Sequence, residues 1–187
     1  MTMPEAVLRA ERGPDSDRWR TPPSLLEEAA ELWGVSGWDL DLAADTDAHV
    51  APRWWGPDHP DPRAQDFDEA AAERLAHVAG WRAWANPPYS RWGRWAELLT
   101  TATAGGGVAV LAIFARTDTA AWHHHVAGRA TAVAFRRGRV RFGDPTGAAS
   151  TTAPAPTALV LYGGTWAEWG QVPAGRASYW VVPGGGA

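Results

Sequence analysis

Residues 81–89 read Trp81-Arg82-Ala83-Trp84-Ala85-Asn86-Pro87-Pro88-Tyr89 and set the architecture of the surrounding chain. The first five residues form a largely apolar run that predicts a strand, and a helical pattern begins shortly after Tyr89. The loop between them therefore lies at a strand's carboxyl end, which is where ligands bind in open α/β sheets. Each proline fixes its own φ angle and restrains the residue before it, so this loop is stiff.

The chemistry of this loop suits methylation of an exocyclic amine. The Asn86 side-chain oxygen and the Pro87 carbonyl would each accept one N–H of the amino group and aim its lone pair at a methyl donor. Pro88 stiffens the loop, and Tyr89 would stack on a base that has left its helix. Positioning and electrostatics then supply the catalysis. The alternative is a proline-rich turn that contains asparagine by chance.

Further strand and helix patterns flank the loop on both sides. A Thr21-Pro22 helix start precedes apolar residues at helical spacing, and a long irregular segment covers residues 46–64. We predict an α/β fold whose sheet is mostly parallel, with an antiparallel hairpin near the C-terminal end. Residues 1–18 are expected to form a loose arm, and residues 19–187 a single domain. The predicted strands cover residues 38–43, 81–85, 108–114, 132–135, 139–142, 157–162 and 179–182.

Composition narrows the class of protein. The chain has 187 residues, a net charge of −4 and no cysteine, which excludes disulfides and thiolate metal sites. No apolar stretch approaches the roughly 20 residues that a membrane span needs, and a cytoplasmic location is the default expectation. The acidic balance argues against nonspecific coating of DNA.

Basic residues cluster in one segment. All 17 basic residues are arginine, and five of them lie between Arg129 and Arg141 with no acidic residue among them. Arginine forks suit bidentate contacts to phosphate and guanine. We interpret Arg136, Arg137, Arg139 and Arg141 as DNA contacts on a basic hairpin; the alternative is a solvated basic surface.

Several motifs occur in an order that is similar to a known family. The likeness extends over about residues 19–163. It is carried by Thr21-Pro22-Pro23, Asp39-Leu40-Asp41-Leu42-Ala43-Ala44-Asp45, Gln65-Asp66, Asn86 to Arg91, Phe114 to Thr119, Trp122-His123, Arg137 to Gly143 and the apolar strand Thr157 to Tyr162. Together they resemble the phage-type DNA N6-adenine methyltransferases, the Dam-like family. The resemblance implies a Rossmann-like methyltransferase fold, S-adenosylmethionine (AdoMet) as cofactor and adenine in DNA as substrate.

The resemblance also implies a cofactor site. Asp41 would accept hydrogen bonds from the ammonium group of AdoMet, Asp66 would meet its adenine amino group, and the Thr21-Pro22 turn would lie over the methionine end. Ala43 and Asp45 belong to a loop that lacks the usual glycines of such sites. Each aspartate also has an alternative interpretation without a ligand. Asp66 precedes a helix as an N-cap would, and Asp41 could be an exposed strand residue.

The remaining candidates flank the catalytic loop. Ser90 and Arg91 are placed to contact the target strand, and Arg116 would hold a phosphate or pair with Asp118. His123-His124-His125 face different directions on a helix, so we expect no metal site there.

Other functions stay open from the sequence. One rival is methylation of the N4 amine of cytosine, and others are a protein glutamine amide or an rRNA base. A degenerate methyltransferase fold that only binds DNA is a further alternative, and the oligomeric state is undetermined.

Overall fold

The computed structural model describes residues 19–143, 150–169 and 179–184. The predicted N-terminal arm, residues 1–18, lies outside these ranges. The helices are α1 Pro23–Leu32, α2 Glu69–Leu75, α3 Trp92–Ala102, α4 Ala120–His125 and α5 Trp166–Trp169, with short 3-10 turns at Pro62–Ala64 and Thr103–Gly105. The strands are β1 Leu40–Asp41, β2 Arg53–Trp54, β3 Arg82–Ala85, β4 Val108–Phe114, β5 Ala132–Arg136, β6 Arg141–Gly143, β7 Ser150–Thr152, β8 Thr157–Tyr162 and β9 Tyr179–Pro183.

Seven strands form the main sheet in the order β2-β1-β3-β4-β8-β5-β9. Strand β1 pairs in parallel with both β2 and β3, and β3 pairs in parallel with β4. After β1 the chain first builds the sheet to one side and then crosses to the other, so the strand order reverses at β1. In open α/β sheets the crevice outside the carboxyl ends at such a reversal is where ligands bind.

The α/β fold is confirmed, but the prediction of a mostly parallel sheet is wrong. Strand β8 lies antiparallel between β4 and β5, and β9 runs antiparallel along β5, so half of the six strand pairings are antiparallel. Residues 158–162 form a continuous apolar run, as strands buried on both faces do. Such a run records burial and carries no information about strand direction.

The predicted basic hairpin is also corrected. Strand β5 pairs with β8 and β9, whereas β6 pairs with β7 in a separate two-stranded sheet. The arginine-rich residues between β5 and β6 therefore connect two sheets. The long segment 46–64 is likewise more ordered than predicted, because it contains β2 and a 3-10 turn.

The core is divided between the two faces of the main sheet. On β4, Leu111 and Ile113 pack with residues of α2 and α3, whereas Val110 and Ala112 pack with residues of α1. This alternation is the period of two that a strand imposes on its side chains. The helices begin where local chemistry favours it: Asp68 caps α2 by accepting a hydrogen bond from the Ala71 N–H (2.8 Å), and Thr119 caps α4 as predicted.

Candidate functional site

A cavity of about 810 Å³ opens at the carboxyl ends of β1, β2 and β3. Its volume falls within the range of small-molecule sites, which are roughly 300–1,000 Å³. Asp41 at the end of β1, Trp55 after β2 and Asn86 after β3 all contribute to its wall. The strand order thus brings together three segments that are far apart in the chain, and it does so at the sheet's reversal point.

Asp41 is buried at the base of this cavity, with 3% of its surface exposed. Its two carboxylate oxygens accept hydrogen bonds from the backbone N–H groups of Ala43 (3.1 Å) and Val50 (3.0 Å). Burial raises the pKa of Asp41 to about 6, and these two hydrogen bonds oppose that rise. Asp41 therefore shapes the loop 43–50, and its remaining lone pairs are available to a ligand. The alternative of an exposed strand residue is wrong.

The other residues predicted to bind the cofactor lie mostly on the same wall. Thr21, Ala43, Asp45 and Asp66 all line the cavity, whereas Pro22 lines a second, smaller cleft. The Thr21 hydroxyl accepts a hydrogen bond from the Trp84 indole (3.2 Å), which attaches this segment to β3.

Asp66 is held at the rim by an ion pair. Its Oδ2 accepts a hydrogen bond from Arg94 on α3 at 3.0 Å. Asp66 is not the N-cap of α2, because Asp68 occupies that position. The capping alternative for Asp66 is therefore wrong.

The loop Asn86 to Tyr89, predicted to be catalytic, follows β3 at the rim of the cavity. Asn86 and Pro88 line the cavity. The Asn86 Nδ2 donates to the Trp19 carbonyl (2.9 Å), and its Oδ1 accepts from the Tyr89 hydroxyl (3.2 Å). Because one end of the amide donates and the other accepts, these two bonds determine the orientation of the Asn86 side chain.

Tyr89 belongs to a cluster of aromatic rings. Its ring stacks on Phe114 with centroids 4.0 Å apart and planes 7° apart, and Trp19 and Phe142 approach it edge-on at 6.1 Å. Burial raises the pKa of Tyr89, so its hydroxyl stays protonated and acts as a donor. One face of the Tyr89 ring is thus occupied by Phe114.

Several wall residues were not predicted from the sequence. Trp19 and Arg20 directly precede the Thr21-Pro22 motif, and Trp55, Phe67 and Trp95 supply aromatic surface. Two of these residues carry a buried N–H without a hydrogen-bond partner in the described part of the chain: Nε of Arg20 and Nε1 of Trp55. Adjacency to a motif was the only signal for Arg20, since an unpaired donor becomes visible only in the tertiary structure.

The arginines and Ser90, predicted to contact DNA, fall into two groups. Arg91 is exposed at the cavity, and Ser90 beside it is exposed as well. Arg116 follows β4 and is half-buried. Exposed arginines also follow β5, and two of them line a cleft of about 260 Å³ beside α1. The members of this second group are Arg137, Arg139 and Arg141.

Arg136 differs from its neighbours because it is engaged within the fold. Its Nε donates to Glu28 Oε2 (2.8 Å) and its second guanidinium nitrogen to Oε1 (2.9 Å), while the Tyr179 hydroxyl donates to the same carboxylate (2.7 Å). These bonds hold the pKa of Glu28 below its usual value. Arg136 therefore joins β5 to α1.

Residues 19–143, 150–169 and 179–184 contain neither a metal-binding cluster nor a membrane-spanning helix. No group of three or more histidine, aspartate or glutamate side chains in these ranges is arranged to hold a metal ion. No helix in the same ranges is long and apolar enough to cross a membrane.

The sheet and the cavity define a class of protein: an α/β protein with a cavity of small-ligand size at the reversal point of its sheet and an amide-bearing loop at the rim. Comparison with known families identifies which family of this class the chain belongs to. The family model described as DNA N-6-adenine-methyltransferase (Dam) matches residues 10–172, and the chain belongs to that family. It is therefore an adenine-specific DNA methyltransferase, which transfers a methyl group to the N6 amino group of adenine in DNA. Among curated proteins, no relative matches the chain.

Proposed function

We propose that the 810 Å³ cavity binds AdoMet and that the Asn86–Tyr89 loop holds the amino group of a flipped adenine at its rim. The observation that carries this proposal is the orientation of the Asn86 amide between the Trp19 carbonyl and the Tyr89 hydroxyl. Its oxygen is thereby held on the side of Tyr89, the residue proposed to stack on the base. Family membership implies AdoMet as methyl donor in general.

The sheet supports assignment to the Rossmann-like methyltransferase fold. Strands β1 to β5 run in one direction, as in doubly wound nucleotide-binding sheets. The antiparallel β8 between β4 and β5 distinguishes this sheet from a plain dinucleotide-binding sheet. The cavity occupies the reversal point at β1 and β3, where such folds hold their cofactors.

The residues of the cavity fit AdoMet in their chemistry. Asp41 and Asp66 offer carboxylates to an ammonium group and to an adenine amino group. Ala43 and Asp45 belong to the loop that Asp41 holds, and aromatic side chains provide surface for an adenine ring. The buried, unpaired N–H groups of Arg20 and Trp55 require acceptors, and a ligand with carboxylate and ring nitrogens offers them.

When bound, AdoMet supplies an electrophilic methyl group on its sulfonium. The protein's part is to position the amine. Asn86 Oδ1 already accepts one hydrogen bond and has a second lone pair for an adenine N–H, and the Pro87 carbonyl accepts the other N–H. With both hydrogens held, the nitrogen lone pair points into the cavity. The amine loses its proton to water after transfer, so no general base is assigned.

The arginines near the Asn86–Tyr89 loop and along the second cleft are proposed to bind the DNA backbone. Arg91 and Ser90 lie beside the catalytic loop, and Arg116 follows β4 on the same edge of the sheet. Arg139 and Arg141 extend the positive surface along the cleft near α1, and the exposed Arg137 lies beside them in the chain. Arg136 is proposed to position this surface through Glu28, since its guanidinium already binds that carboxylate.

Replacing Asn86 by alanine tests the catalytic loop. Transfer of labelled methyl to unmethylated DNA should fall by at least about 100-fold, as expected when a preorganised polar contact to the reacting group is removed. Affinity for AdoMet, measured by calorimetry, should stay nearly unchanged. Thr101→Ala on the exposed side of α3 is the matched control and should transfer methyl at the wild-type rate.

Two results would contradict this assignment. If Asn86→Ala lost AdoMet binding together with activity, the residue would belong to the cofactor wall. If nucleoside analysis of the wild-type product showed N4-methylcytosine, the loop would serve a different base.

A further inference from the structure

Arg20 is a half-buried cation on the wall of the cavity with an unsatisfied donor. Its Nε is buried and has no hydrogen-bond partner among the described residues. A buried donor without a partner destabilises the folded state, and native proteins keep few of them. Arginine is also the residue best suited to bind a carboxylate or phosphate with two parallel hydrogen bonds.

The backbone around Arg20 is held in place by three neighbours. Its N–H donates to the Gly143 carbonyl (2.9 Å), and the Gly143 N–H donates to the Arg20 carbonyl (3.1 Å). On either side, the Trp19 carbonyl accepts from Asn86 and the Thr21 hydroxyl accepts from Trp84. The start of the Arg20 side chain is therefore fixed on the same edge of the sheet as the catalytic loop.

The charge of the cavity indicates which kind of anion Arg20 would meet. Four aspartates line the wall against two arginines: Asp41, Asp45, Asp58 and Asp66 against Arg20 and Arg91. This excess of negative charge repels a polyanion such as the DNA backbone. The cavity suits a ligand that carries positive groups together with one carboxylate, because the aspartates bind the positive groups and an arginine binds the carboxylate.

The other charged residues of the cavity wall differ from Arg20 in their partners or their exposure. Asp41 accepts two backbone N–H groups, and Asp66 pairs with Arg94. Arg91 is exposed, whereas the Arg20 guanidinium has a buried edge. None of the ion pairs found among the described residues involves Arg20, although it shares the cavity with four carboxylates.

We propose that Arg20 binds the carboxylate of the methionine part of AdoMet. This inference rests on the proposed function, since it takes AdoMet to be the occupant of the cavity. It adds a residue outside the recognised motifs, and it assigns the unpaired Nε a partner.

Calorimetric titration of the full chain with two ligands tests the proposal. S-adenosylhomocysteine keeps the carboxylate, and decarboxylated AdoMet lacks it. Arg20→Ala should weaken binding of S-adenosylhomocysteine by about 10- to 100-fold and leave binding of decarboxylated AdoMet unchanged. Arg20→Lys keeps the charge without the fork and should lose less. Arg74→Ala, an exposed arginine on α2, is the control and should bind both ligands like the wild type.

The outcomes separate this inference from the proposed function. Equal losses for both ligands, or no loss for S-adenosylhomocysteine, would overturn the role of Arg20 while leaving AdoMet in the cavity. Failure of the wild type to bind either AdoMet or S-adenosylhomocysteine would overturn both. If thermal unfolding showed that Arg20→Ala does not fold, Arg20→Lys, which lacks Nε, would replace it in the comparison. Equal affinity of Arg20→Lys and wild type for both ligands would then overturn the assignment of Nε to the carboxylate.

Discussion

Replacing Asp41 by asparagine tests whether a buried, ionisable carboxyl group organises the cavity. Asp41 is 3% exposed, and burial raises its pKa to about 6, whereas an aspartate in an unfolded chain titrates near about 3.9. The folded protein thus binds more protons than the unfolded chain between these values. The free energy of unfolding therefore falls as the pH rises through this window, and it is lowest above the folded pKa.

The size of this effect follows from the difference in pKa. About 2 units at 1.36 kcal/mol per unit amount to about 3 kcal/mol, of which about 2 kcal/mol should be lost between pH 4.5 and pH 8. Because asparagine does not ionise, the free energy of unfolding of Asp41→Asn lacks this decrease with pH. The variant pays a cost of about 1–3 kcal/mol at every pH, because its amide can accept from only one of the Ala43 and Val50 N–H groups.

Urea denaturation of both proteins at several pH values measures the prediction. The free energy of unfolding of the wild type minus that of the variant should fall by about 2 kcal/mol from pH 4.5 to pH 8. Glu28 and Asp39, whose arginine partners lower their pKa values, titrate alike in both proteins and cancel in the difference. A difference that stays constant with pH would refute the raised pKa of Asp41 and the reasoning from its burial.

Two further variants test the surroundings of the cavity. The double variant Arg139→Ala, Arg141→Ala should weaken binding to DNA of every sequence. It should also lower the slope of log affinity against log salt concentration by about 2, and Arg74→Ala is the control. An unchanged slope in the double variant would show that these residues do not belong to the DNA interface. Glu28→Gln should lower the free energy of unfolding by about 1–2 kcal/mol, because Arg136 and Tyr179 lose a charged acceptor that is only partly shielded from water. An unchanged denaturation midpoint would show that this cluster does not stabilise the fold.

Much of the site was predictable because its signals are local. The apolar run before Asn86 and the prolines after it predicted a strand followed by a stiff loop, and β3 ends at Ala85. The strand 108–114 and the cap at Thr119 were also predicted correctly, since each depends on residues within a few positions of one another. The edge strand at 179–182 was found as β9.

Features that depend on distant partners were predicted less well. Asp66 and Asp68 look equally able to cap α2 in the sequence, and only the structure shows that Asp68 does so while Asp66 pairs with Arg94. Arg136 belongs to a run of arginines that suggests DNA contact, yet Glu28, 108 residues earlier, binds its guanidinium. Arg20 gave no signal of its own, because its unpaired Nε arises from how residues 19–21 lie against β3 and β6.

Local order and chemistry were thus available from the amino-acid sequence: the α/β class, the position of the Asn86–Tyr89 loop and the acidic and basic groups around it. The assembled sheet determined strand direction, the formation of the cavity and the choice of ion-pair partners. The physical reason is that hydrophobic pattern and proline geometry act over a few residues. The pairing of β8 between β4 and β5, and of Glu28 with Arg136, depends instead on which edges and charges meet after the chain has folded.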